Sequence, residues 1–252
     1  IHSLHMVTET TGYAVIASSI YSITLPSYTQ TLFKVLTSDA PLNWLDDGDD
    51  LYYSNGTDSG RIAEGAWFPL GIDTPDGPTL SIIGGNLLPG WYQVGVSYSN
   101  SVTGEESGIS ASSNIELTNQ GGIRATLPPS ILGADKINIY LSAANGEVPM
   151  QLAQVNVGTL TYDCIALAAG RESNGRFEQP LPAGELFMSN GRLCSFSGNV
   201  VYVGSPWRYG YHTPASSYIE FPAPVTVAIE NQGGTYIVAD KTYFFPGGDL
   251  SN

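Results

Sequence analysis

Asp46-Asp47-Gly48-Asp49-Asp50 is the densest acidic run of the chain. Hard carboxylate oxygens close in sequence are the ligands that Ca²⁺ takes. A calcium loop of the EF-hand kind needs acidic groups at alternate positions, a central Gly and a distal Glu. The spacing here differs, and an acidic β-turn accounts for the run better. The most aromatic stretch is Ser205-Pro206-Trp207-Arg208-Tyr209-Gly210-Tyr211-His212. Its three aromatic rings, with Arg208 and His212, have the chemistry to stack on a glycan or to anchor a protein partner. The plainer expectation is a loop between repeated units whose Trp207 packs on the neighbouring unit. His2 and His5 stand close together, but no further ligands are spaced to complete a zinc site.

Other reactive signatures are missing from the sequence. There is no Gly-x-Ser-x-Gly nucleophile elbow and no sialidase-type Asp box. Gly84-Gly85 and Gly121-Gly122 lack the residues that flank phosphate-cradling loops. No carboxylate pair stands out for glycoside hydrolysis, although such pairs can come from distant segments. Asn55-Gly56-Thr57 matches a glycosylation acceptor, and Asn-Gly is equally a tight turn. The expectation is therefore no catalytic residue, no cofactor and no metal. The residues expected to make partner contacts are Trp67, Trp207, Arg208 and Tyr209.

The elements that would carry these residues are strands. The chain has 252 residues, 29 Gly, 16 Pro and 15 Tyr. Charged residues are only 13 %, and the net charge is −14. Such a chain repels phosphate backbones, so no nucleic-acid partner is expected. No apolar run reaches the roughly 18 residues of a membrane-spanning helix. Cys164 and Cys194 both sit in apolar, strand-like contexts and read as buried free thiols. The chain starts at Ile1 and stops shortly after a Pro-Gly-Gly turn, and is expected to be a segment of a longer polypeptide.

Apolar, β-branched and aromatic runs bounded by turn dipeptides recur throughout. They include Tyr13–Ile20, Thr31–Leu36, Gly90–Ser99, Lys136–Ser142, Met150–Val157, Val200–Val203 and Thr242–Phe245. Asn55-Gly56, Asp76-Gly77, Asn145-Gly146, Asn174-Gly175 and Asn190-Gly191 suit positions with φ > 0. One short helix is expected at Ile165–Ala169, stopped by Gly170. A Pro-bounded linker, Thr74–Pro78, opens a stretch with about seven strands in about 95 residues, the size of an immunoglobulin-like sandwich. The flanks echo each other. Val15–Tyr21 parallels Ile237–Tyr243, and Asp50–Gly56 parallels Asn199–Gly204. Repetition of this kind suggests propeller blades of about 45 residues, of which the flanks would supply roughly three and a half. Three segments follow: 1–73 and 169–252 as two parts of a propeller-like β domain, and 74–168 as the inserted sandwich.

Two resemblances bear on function. Gly90-Trp91-Tyr92-Gln93-Val94 and Lys136-Ile137-Asn138-Ile139-Tyr140 resemble paired strands of a fibronectin type III module. The run from Gly191-Arg192-Leu193 through Gly198, Val201-Tyr202 and Pro206 resembles tailed-bacteriophage virion proteins, in which this strand pair opens a propeller blade. Gly204 stands where that pattern has Ser. The resemblance implies a structural part of the tail or head–tail region of a virion, without catalytic residues. Its partners would be other virion proteins, including copies of itself. The competing expectations are a carbohydrate-binding adhesin contacting a host surface glycan, and a propeller enzyme acting on polysaccharide.

Overall fold

The computed structural model describes residues 2–48, 50–173, 178–247 and 250. The protein is all-β, built from several small antiparallel sheets, none of which closes on itself. It divides into two compact units, Ile1–Leu70 with Leu181–Asn252, and Gly71–Pro180. The second unit starts before the Thr74–Pro78 segment because Ile72 is already buried in its core. It extends past residue 168 because Gly170 and Arg171 exchange backbone hydrogen bonds with Gln151.

The discontinuous unit is a stack of four up-and-down sheets. The first contains His2–Met6, Thr11–Val15, Ser19–Thr24 and Thr29–Val35; the second contains Asn43–Asp46, Leu51–Ser54, Ser59–Ala63 and Ala66–Phe68. The third contains Glu185–Ser189, Arg192–Ser197, Val200–Tyr202 and Tyr218–Glu220; the three-stranded fourth contains Val227–Asn231, Gly234–Val238 and Thr242–Pro246. Side chains alternate across each strand, so a buried sheet needs apolar residues on both faces. Leu51 and Tyr53 pack with Val15 and Ile20 between the first and second sheets, whereas Tyr52 packs with Leu186 and Leu193 between the second and third. Phe187, Cys194 and Val201 of the third sheet meet Ile237 and Tyr243 of the fourth. Four sheets thus enclose three cores.

Polar staples fix each junction. The Trp44 indole N–H donates to the Ser3 carbonyl at 2.7 Å between the first and second sheets. The Leu186 amide donates to Asn43 Oδ1 at 3.0 Å between the second and third. The Ser189 and Thr235 hydroxyls lie 2.7 Å apart between the third and fourth. The first strands of successive sheets adjoin one another throughout the stack.

The inserted unit holds two sheets over one core. Four strands run in the order Ser113–Leu117, Gly90–Ser99, Lys136–Leu141, Met150–Asn156; three run Thr161–Cys164, Gly121–Thr126, Thr79–Leu87. Val94, Val96, Ile137 and Ile139 face Ile123, Ala125 and Cys164 across that core.

Three local expectations are corrected. Tyr13–Ile20 is not one strand: it breaks at a turn where Ala17 has φ of 50°. Ile165–Ala169 is not a helix, since the segment is irregular and Gly170 is tied to Gln151 instead. Five residues are too few to repay helix nucleation without that competition. Gly77 has no positive φ; a side chain there would meet the Ala111 carbonyl oxygen at 2.7 Å, so close approach explains the glycine. Asn190-Gly191, by contrast, takes φ of 49° and 69°, the primed hairpin turn expected of it. Asn174-Gly175 lies outside the described residues.

Candidate functional site

The stretch Ser205–His212 leaves the third strand of the third sheet as a tight excursion. The Ser205 amide donates to the Tyr211 carbonyl at 2.7 Å, and Ser205 and Arg208 form an isolated bridge. Tyr211 is buried at the base, and the Arg208 guanidinium lies 4.8 Å from its ring centroid. Trp207 stands at the tip with φ of 61° and 90 % of its surface exposed. The expectation that Trp207 packs on a neighbouring sheet is thus overturned: the turn points its ring away from the stack. A left-handed backbone costs a non-glycine residue roughly 1–2 kcal/mol, and an exposed indole gains nothing from burial.

Tyr209 lies half-buried, with its ring edge-on to Tyr52 at 6.0 Å in the core between the second and third sheets. Burial, and then the charge of Asp47, push its phenol above the ordinary value. Trp67 sits in the strand Ala66–Phe68. Its indole N–H donates to the Tyr53 hydroxyl at 2.8 Å, and Lys34 Nζ caps its ring at 3.4 Å. Trp67 is therefore engaged between the first and second sheets. Of the four expected contact residues, Trp207 alone presents an open aromatic face.

The acidic run forms a turn. The Gly48 amide donates to Asp46 Oδ1 and the Asp50 amide to Asp47 Oδ1, each at 2.8 Å, while Asp50 pairs with Arg61 at 2.5 Å. These carboxylates cap amides and an arginine; Asp49 lies outside the described residues. Asn55 accepts from the amides of Thr57 and Asp58 at 3.0 and 2.7 Å, so its side chain holds the turn. His5 stacks on Trp44 at 5.9 Å and contacts Asp46 at 3.3 Å. Among the described residues no group of three or more His, Cys, Asp or Glu side chains is arranged to hold a metal ion. Both cysteines are free and buried, their thiols pushed up to about 12 chiefly by burial.

Two features of the inserted unit were not legible beforehand. Glu106, 4 % exposed, accepts from Ser97 at 2.5 Å, Asn138 at 3.1 Å and the Tyr140 hydroxyl, and pairs with Arg171 at 2.9 Å. Burial, and then the Glu106 carboxylate, push the Tyr140 phenol up to about 12. This cluster lies on the face of the four-stranded sheet opposite the core and ties the segments around Glu106 and Arg171 to it. The second feature is a shallow groove at one end of the unit, lined by Trp91, Gln93, Asn114, Asn145 and Glu147. Trp91 is 54 % exposed there. Its sequence signal was the alternation that places Trp91 opposite core-facing Tyr92.

No protein-family model matches the sequence, and no curated protein matches it.

Proposed function

We propose that this chain is a non-enzymatic structural component of a bacteriophage particle, in the tail or head–tail region, acting through assembly with other virion proteins and copies of itself. The observation that carries the reading is Trp207. A large aromatic ring held at the tip of a tight turn, in a backbone conformation that costs free energy, suits a residue buried by a partner. The sequence pattern that resembles virion proteins runs through the strands Arg192–Ser197 and Val200–Tyr202 and leads directly into this turn. On this reading the four sheets are propeller-like blades, and the seven-stranded insert is a fibronectin type III-like spacer.

The test is Trp207→Ala. The isolated protein is expected to keep its melting temperature within about 2 °C, because an exposed side chain contributes little to folding. Incorporation into particles is expected to fall at least tenfold. A large drop in melting temperature, undiminished incorporation, or hydrolysis of host polysaccharide by the purified chain would each count against the reading.

A second reading, a glycan-contacting protein, is favoured by the groove around Trp91. An exposed indole beside amide and carboxylate groups suits a sugar ring, whose apolar face stacks and whose hydroxyls hydrogen-bond. Glycan-array binding that Trp91→Ala abolishes and Trp207→Ala leaves intact would move the function to the inserted unit.

A further inference from the structure

Each sheet-to-sheet junction carries a tyrosine at one of two recurring positions, and the junction between the second and third sheets carries both. On the face toward the following sheet, Tyr13 pairs with His5 in the first sheet and Tyr52 with Leu45 in the second, each tyrosine on the second strand. Tyr13 stacks on Trp44 at 6.3 Å, and Tyr52 is 2 % exposed beneath the third sheet. On the face toward the preceding sheet, the third strand supplies a tyrosine in the third and fourth sheets, Tyr202 and Tyr243. Tyr243 meets Phe221 edge-on at 4.9 Å.

The outer faces of the first and fourth sheets carry related signatures, with large apolar side chains open to solvent among the described residues. In the fourth sheet Ile229, Tyr236 and Phe244 lie side by side across three strands, on the face opposite Ile237 and Tyr243. They are 58 %, 36 % and 46 % exposed. Ile229 and Tyr236 repeat the Leu45–Tyr52 pair. In the first sheet Ala14, Tyr21 and Leu32 form a cross-strand row on the face opposite Tyr13 and Val15; Leu32 is 54 % exposed, Tyr21 is partly exposed and Ala14 is buried. Tyr21 stands where Tyr202 and Tyr243 stand. One end is thus a following-type face, and the other a preceding-type face.

We propose that the outer face of the fourth sheet docks on the outer face of the first sheet of a second copy, head to tail, repeating the internal junction. The inference rests on the assembly reading and specifies its self-contact. The argument for a second copy is continuity: the two outer faces belong to one molecule and are of the two kinds that meet, through Tyr52 and Tyr202, between its second and third sheets. Two copies joined at both ends bring eight sheets together, within the usual four to eight blades of a propeller. The net charge of −14 opposes association, but neither cross-strand row contains a charged residue. Screening by salt should therefore strengthen the contact.

The test is sedimentation of the purified chain with Leu32→Asp and Ile229→Asp, both at exposed positions, so that each variant is expected to fold with the wild-type melting temperature. The wild type is expected to self-associate more strongly at 0.5 M than at about 0.05 M salt. Each variant alone should be monomeric. An equimolar mixture should recover a one-to-one pair, because one junction then joins two intact faces. A wild type that stays monomeric to about 1 mM, or a single variant that associates as well as wild type, would overturn the proposal. Trp207→Ala is expected to associate normally, so loss of this junction and loss of the Trp207 contact are distinguishable.

Discussion

Gly60 tests whether the sheet stack is as tightly specified as its geometry implies. A side-chain carbon there would lie 2.6 Å from Trp67 Nε1 and 2.8 Å from the Tyr53 ring. Tyr53 is 1 % exposed, and its hydroxyl accepts the Trp67 indole N–H at 2.8 Å. Gly60→Ala must push both rings by roughly 0.7 Å to reach ordinary contact, in a junction packed at crystal-like density. Overpacking of this kind costs about 1–3 kcal/mol, and breaking the indole–phenol hydrogen bond adds about 1 kcal/mol. The expected loss is about 2–4 kcal/mol, a fall of roughly 6–12 °C for a unit of this size. Denaturant titration of Gly60→Ala, Trp67→Ala and the double variant gives the decisive number. Removing the indole removes the closest clash, so Gly60→Ala should cost at least 1 kcal/mol less in the Trp67→Ala background, a coupling that a cycle resolves. Equal costs in both backgrounds, or a loss under 0.5 kcal/mol in the parent, would refute this account of the junction.

Alkaline pH should weaken the fold. The Tyr53 and Tyr140 phenols and the Cys164 and Cys194 thiols are all pushed up to about 12, chiefly by burial. Groups whose folded values are raised favour the protonated fold, so their contribution is full below pH 9 and is lost between pH 9 and 12. A denaturant midpoint unchanged over that window would contradict the burial described. On the acid side, burial alone would raise the Asp58 carboxyl, but hydrogen bonds from Thr37, Ser38 and Asn55 outweigh it and hold the group below its ordinary value. Asp58→Asn should cost about 1–3 kcal/mol at pH 7, and the difference from wild type should shrink as pH falls below about 4.

The strands that were legible in advance are those with strong alternation and clean turns. Gly90–Ser99 coincides residue for residue with the structure. Missed strands lack that signal for identifiable reasons. Thr79–Leu87 is interrupted by Gly84-Gly85, which a propensity argument reads as a break; in the fold Gly85 lies against Gly122, where a side chain would not fit. His2–Met6 and Ser59–Ala63 are mostly polar or small and are held by their neighbours. The aromatic run at Ser205–His212 was conspicuous, but which of its rings would face solvent was not. That depends on one left-handed residue, Trp207, at a position where sequence rules expect glycine or asparagine. The Glu106 cluster was invisible because its members are scattered from Ser97 to Arg171, and only the pleat brings them together.

Leu70 and Leu181, the last and first stack residues on either side of the insert, are both buried in the core between the second and third sheets. The chain therefore leaves and re-enters through anchors that hydrophobic burial has already immobilised. For the stack, the intervening residues act as a single closed loop, and closure entropy grows only with the logarithm of loop length. Lengthening, shortening or replacing the insert alters that entropy by less than about 1 kcal/mol per doubling. The site between Leu70 and Leu181 is in this sense a socket: a lineage could exchange the module seated there, and with it whatever the module touches, without renegotiating the fold that carries it.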